Sequence, residues 1–190
     1  MRLFLAIELP DSVRQSIAKL AKSLRRFDVL EKSLIRRENL HLTLKFIGEV
    51  TDPAVSPMCE VLRQIPTPAS FRLRPSHLGC LPERGEVRII SVGLDGQLDL
   101  LQSLYEGIES ASGSLGLRKE GRRFHPHITV ARLRKTLPSS ARQELECIPL
   151  PDSAGMEFDV RGFVLMQSVF EPAGVRYLRV ARFPLAAISE

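Results

Sequence analysis

His41-Leu42-Thr43-Leu44 and His127-Ile128-Thr129-Val130 carry one order of residue types: histidine, an apolar residue, threonine, an apolar residue. Both lie in strand-like runs, and strand side chains alternate between faces, so each histidine and its threonine point one way and the apolar pair the other. Polar chemistry is confined to one face and packing to the opposite one. Two residues along a strand span roughly 7 Å of backbone, near enough for an imidazole and a hydroxyl to reach one small oxyanion. Two such strands side by side would present two histidines and two hydroxyls to a single phosphate.

The surrounding chain has a matching grammar in its two halves. Leu3 to Leu9 is almost continuously apolar and predicts a central strand rather than an exposed edge. Pro10-Asp11-Ser12 opens a helix whose apolar stripe is Val13, Ile17, Leu20, Ala21 and Leu24. After the first motif strand, Leu40 to Ile47, closed by Gly48, Thr51-Asp52-Pro53 starts a second helix through about Gln64, and Pro66-Thr67-Pro68 stops it. Phe71, Leu73 and the run His77 to Pro82 predict a strand ending in a loop, followed by a strand over Val87 to Val92.

In the second half, Leu98, Leu101, Leu104, Tyr105 and Ile108 form a helix stripe ended by Gly113 and Gly116. A basic stretch, Arg118 to Arg123, leads into the second motif strand. Pro138 to Cys147 predicts a short helix. Met156 to Phe170 and Arg176 to Phe183 predict two long strands in a hairpin, joined by Glu171-Pro172-Ala173-Gly174. The two motif histidines are 127 − 41 = 86 residues apart, a little under half of the 190-residue chain. Duplication of an α+β lobe explains that spacing and sets the motif strands near an internal pseudo-two-fold axis, with their polar faces lining one cleft.

Composition narrows the partners. The chain has 27 Lys and Arg against 22 Asp and Glu, a formal charge of +5 that modestly favours polyanions. Cys59, Cys80 and Cys147 are odd in number and form no CxxC pair, so no disulfide framework is expected. The apolar start is interrupted by Glu8 and Pro10, too early for a signal peptide or a membrane span, and a soluble, cytoplasmic protein is expected. His77 and His125 complete the four histidines, but no carboxylate-rich or HExxH-type spacing accompanies them, so no metal is expected.

Extended segments carry a further signal: Arg2-Leu3-Phe4-Leu5-Ala6; Glu38 through Val50 around the first motif; Arg123 through Arg132 around the second; and Ser168, Gly174 and Tyr177 near the end. Here the chain resembles the 2H phosphoesterase superfamily, named for paired His-x-Thr/Ser-x motifs. It is most similar to the bacterial and archaeal RNA 2′,3′-cyclic phosphodiesterase branch, formerly labelled 2′-5′ RNA ligase. The resemblance implies one domain over residues 1–190, built as two intertwined lobes. Its expected fold is α+β and bilobed, with two antiparallel sheets and flanking helices around a central cleft. It also implies hydrolysis of a ribose 2′,3′-cyclic phosphate to a 2′-phosphate with no metal and no cofactor, and RNA or a nucleotide as partner; a monomer is the default expectation.

Two histidines suit that reaction independently of any family: a proton must leave water and another must reach the departing 3′-oxygen, and imidazole can serve either role near neutral pH. By the resemblance, His41 is the proton donor and His127 the proton acceptor. Thr43 and Thr129 donate hydrogen bonds to the non-bridging oxygens as charge builds there. Five residues after each histidine stand Phe46 and Arg132, which resemble jaws that hold a nucleobase; a ring and a guanidinium plane both stack on bases. Five residues flips strand parity, so a bulge, a strand end or a strong twist must return them to the histidine face, and Gly48 offers one only beside Phe46. The position of His125 varies in the family and reads as a rim residue; His77 reads as structural.

The chain departs from the family in places. It has no tryptophan before the first motif, where Ile35, Arg36 and Arg37 stand, and Met166 and Gln167 replace the more usual pair before Ser168. Two other readings stay open. One is ligation of 2′-phosphate and 5′-hydroxyl ends by the reverse chemistry. The other is a non-catalytic RNA-binding module.

Overall fold

The computed structural model describes residues 1–27, 30, 33–121, 123–150, 154–172 and 174–186. The first half runs β1 (Arg2–Glu8), α1 (Asp11–Ser23), β2 (His41–Glu49), α2 (Asp52–Arg63) and β3 (Phe71–Leu81). The second runs β4 (Ile89–Gly96), α3 (Leu98–Ser114), β5 (His127–Arg132), α4 (Ser139–Glu146), β6 (Phe158–Val160), β7 (Gly162–Glu171) and β8 (Gly174–Pro184). The expected helices fall within a few residues of these bounds, and β1 is central, as its continuous apolar run requires.

The strands form one sheet, in the order β6-β3-β4-β5-β2-β1-β7-β8, with every neighbouring pair antiparallel. This corrects the expectation of two sheets. The two motif strands are themselves the seam: β2 and β5 are joined at Leu42↔Ile128, and four strands lie on either side of it. The expected strand over Met156 to Phe170 is also corrected. It is divided at Arg161 into β6, which pairs with β3, and β7, which pairs with β1. Those partners belong to opposite ends of the sheet order, yet one residue separates β6 from β7. The sheet must therefore curl until its ends meet, and Ala69 bridges Ala186 where they do.

The duplication is visible in the connections. β1-α1-β2 and β4-α3-β5 are matching antiparallel strand-helix-strand units, and each outer strand is flanked by one from the other half of the chain, β7 beside β1 and β3 beside β4. One face of the sheet, with Leu3, Leu5, Leu42, Ile90, Val92 and Ile128, is buried in the same core as Val13 and Ile17 of α1 and Leu101 and Leu104 of α3. The opposite face carries the small cluster Phe4, Ala6 and Val164. No helix among the described residues is long and apolar enough to cross a membrane.

Candidate active site

Antiparallel register about Leu42↔Ile128 sets His41 across from Thr129 and Thr43 across from His127. The four motif side chains are thereby brought to one patch of the sheet face, where cross-strand neighbours lie about 5 Å apart.

Each imidazole is held in the same way. His41 Nδ1 lies 2.7 Å from the Asn39 carbonyl oxygen, and His127 Nδ1 lies 2.7 Å from the His125 carbonyl oxygen. A carbonyl only accepts, so Nδ1 carries the proton in both rings and donates it. The remaining nitrogen, Nε2, is left to do chemistry. In His41 it accepts from the Thr43 hydroxyl at 3.0 Å; among the described residues no group bonds His127 Nε2.

Burial of the two rings, chiefly, pushes both pKa values below the ordinary imidazole value, His41 to about 4. The backbone hydrogen bonds oppose that shift. The Arg132 charge adds to it in both rings, and His127 adds to it in His41. Both imidazoles are neutral at pH 7 in the ligand-free protein, and the charges that act on them are those of Arg132 and neighbouring histidines.

The parity problem is solved by a pair of bulges. Along β2 the register passes from Leu5↔Lys45 to Ala6↔Thr43, leaving Leu44 as an extra residue. Along β5 it passes from Ile90↔Ala131 to Ser91↔Thr129, leaving Val130 extra at the same distance from its histidine. Leu44 and Lys45 are both buried in consequence, as are Val130 and Ala131, and the next residue in each strand, Phe46 or Arg132, emerges exposed. The bulges fall before the jaw residues in both strands, so the expected dependence on Gly48 for Phe46 alone is corrected. A second shift, opposite Leu3 and Phe4, is the one next to Gly48.

The family described as LigT like Phosphoesterase matches residues 7–90 and 92–177 of this sequence. The chain belongs to the LigT-like phosphoesterase family. The RNA 2′,3′-cyclic phosphodiesterase of Archaeoglobus fulgidus is 32% identical over 180 residues, covering 93% of this chain and 96% of that one. A crystal structure from Thermus thermophilus is similar over the full length of both chains, with a TM-score of 0.80 and 27% identity. Escherichia coli LigT complexed with 3′-AMP is similar over 97% of each chain, with a TM-score of 0.78 and 26% identity.

This LigT-like site has aromatic walls on the His41 side. The Phe4 and Tyr177 rings lie 5.0 and 5.2 Å from the His41 ring and 4.9 Å from each other, and Phe4 is 6.2 Å from Phe46. Neither Phe4 nor Tyr177 stands out in sequence as a site residue, although Phe4 and Ala6 share the parity that faces the cleft. The two carbonyls that hold the histidines were legible only as a spacing, each two residues before its histidine.

Toward α3 the cleft is walled by the basic stretch: Arg118, Lys119 and Arg123 line it together with Thr43, Phe46 and His127; Arg122 lies outside the described residues. That stretch is tied to β2 by a buried ion pair. Lys45 Nζ donates to Glu109 Oε1 at 2.6 Å and to the Arg118 carbonyl at 2.9 Å, while Glu109 Oε2 accepts from the Glu120 N–H at 3.0 Å.

His77 and His125 border a neighbouring groove that also reaches His127. The His77 ring lies against Gly93, where a side chain would collide with it, and its Nδ1 bonds Ser76 Oγ at 2.9 Å. Among the described residues no group of three or more His, Cys, Asp or Glu is arranged to hold a metal ion.

Proposed function

We propose that this chain is an RNA 2′,3′-cyclic phosphodiesterase that opens the cyclic phosphate to a 2′-phosphate by two-histidine acid and base catalysis without a metal. The observation that carries the reading is the paired mounting of the imidazoles. Two strands meeting at Leu42 and Ile128 present two Nε2 atoms, each set by an Nδ1–H donated to a carbonyl two residues upstream. Similarity to RNA 2′,3′-cyclic phosphodiesterases over more than nine-tenths of the chain supports the substrate class.

His127, whose Nε2 is open to the cleft, takes the proton of a water molecule as its oxygen attacks phosphorus. The P–O3′ bond breaks, and His41 Nε2–H delivers its proton to the departing 3′-oxygen. His41 must then be protonated before turnover. Its pKa near 4 in the ligand-free site opposes that, and the anionic phosphate supplies a counter-charge beside the rings, raising both imidazoles on binding.

Protonation of His41 also redirects Thr43. With a proton on Nε2 the Thr43 hydroxyl can no longer donate there, and its proton turns to a non-bridging phosphate oxygen; Thr129 serves the same oxygens from β5. Phe46 and Arg132 hold the terminal base from either side.

The test is incubation of the purified protein with EDTA and an RNA ending in a 2′,3′-cyclic phosphate, with 2′- and 3′-phosphate products resolved. The 2′-phosphate is expected, and its loss in both His41→Ala and His127→Ala. Absence of turnover in the wild type, with RNA still retained, would instead establish a binding module.

A further inference from the structure

Among the described residues, two phenylalanines are largely open to solvent, Phe46 at 66% and Phe170 at 67%. A single exposed apolar side chain is unremarkable. These two, however, open onto the same cavity of about 450 Å³, together with Arg2, Phe4, Arg132 and Tyr177.

Register puts them on one face. Ser168 of β7 is opposite Arg2 on β1 and Tyr177 on β8, and Phe170 follows Ser168 by two residues, so all four side chains share the face of Phe4 and the motif histidines. The Arg2 guanidinium sits over the Phe170 ring, 5.7 Å from its centroid. Phe46 pairs with Phe4 and Phe4 with Met166, so Phe170 is two strands across and four residues along from Phe46, roughly 16 Å between Cα atoms. An extended RNA strand covers that in a few nucleotides. The nearest carboxylate in sequence, Glu171, is paired with Arg176 at 2.8 Å, so the local field stays favourable to phosphate.

We propose that Phe170 and Arg2 form a second stacking site, for a nucleobase upstream of the reacting end, so that the cleft is filled by a single-stranded RNA rather than by one nucleotide. This rests on the reading of Phe46 and Arg132 as the holder of the terminal base. The ring stacks on any base, and the arginine adds a flat cation that reaches both base and backbone, so the site selects for strand length and not for sequence.

Binding is the readout, because it survives a failure of the catalytic reading. A labelled six-nucleotide RNA ending in a 2′-phosphate is titrated by fluorescence anisotropy against wild type, Phe170→Ala and Phe170→Tyr. An abasic residue is then walked through the upstream positions. Phe170→Ala is expected to weaken binding about tenfold, within the range of one lost base stack, and Phe170→Tyr to restore it. One abasic position should cost the wild type the same factor and cost Phe170→Ala nothing more.

Equal affinity of wild type and Phe170→Ala, or abasic penalties that ignore the substitution, would overturn the proposal. So would a wild-type dimer in sedimentation that Phe170→Ala dissolves, since the ring would then serve a self-contact. Turnover is scored separately, so loss of hydrolysis with Phe170-dependent binding intact would strike the catalytic reading alone.

Discussion

Leu44 and Val130 hold equivalent places in two strands: each is the extra residue of a bulge three positions after a motif histidine. Each bulge reverses parity once, so the residue five positions after the histidine returns to the histidine face. Without them Phe46 and Arg132 would point into the core. The exposure of a phenylalanine beside the histidine cleft is thus a product of backbone register, not of local hydrophobic pattern.

Truncating Phe46 should therefore cost binding and not stability. Phe46→Ala is expected to raise KM about tenfold, as for one lost base stack, with kcat kept. Its thermal midpoint should stay within about 2 °C of wild type, because so exposed a ring contributes little to the core. A melt lowered by about 10 °C would make Phe46 a core residue instead.

The acid and base roles separate with a substrate that carries sulfur in place of the 3′-oxygen. A thiolate leaves without a proton, so the acid becomes dispensable while the base does not. With the ordinary substrate both His41→Ala and His127→Ala should lose at least about 100-fold in rate. With the sulfur substrate His41→Ala should recover most of its loss and His127→Ala none of it. Recovery by His127→Ala would exchange the two roles.

Depression of the His41 pKa makes a stability prediction with a definite sign. The unfolded imidazole titrates near 6.5 and the folded one near 4, so between those values the unfolded chain binds the extra proton. This contribution to stability is complete above about pH 6.5 and declines as pH falls, by at most about 3 kcal/mol at pH 4. Urea denaturation of wild type and His41→Gln at pH 7.5 and 5 checks it. The wild type should lose roughly 2 kcal/mol more than the variant between those values; equal losses would show that His41 titrates normally in the folded chain.

Lys45 and Glu109 are buried together, with side chains 4% and 14% exposed, and removing one partner strands the other charge. Lys45→Met should destabilise the fold by about 3–5 kcal/mol in urea denaturation, and adding Glu109→Leu should restore most of that. The double variant should still bind the terminal nucleotide while binding longer RNA less tightly, because the Arg118 carbonyl and the Glu120 N–H lose their anchors.

Arg118 and Arg123 line the cleft, where the proposed RNA substrate would bring its phosphates. Replacing both with alanine is expected to weaken RNA binding and to reduce the slope of log affinity against log salt by about 1.4, the value for two contacts on a single strand. An unchanged slope would make them ordinary surface charges.

Legible in the residues alone were the pairing of each motif histidine with its threonine on one strand face, the duplication and most helices. Those rest on short-range chemistry: alternation puts His41 with Thr43 and His127 with Thr129, apolar stripes mark α1 and α3, and an 86-residue spacing implies a two-fold arrangement. Long-range strand pairing set the rest. Whether the half-sheets stay apart or join at Leu42 and Ile128 depends on strands from opposite halves meeting, and the division at Arg161 follows from which edge each strand pairs with. The bulges at Leu44 and Val130, the Tyr177 ring against His41 and the Lys45–Glu109 pair are likewise contacts between residues far apart in sequence. Strand alternation cannot anticipate them, because one extra residue opposite a partner strand reverses every face that follows.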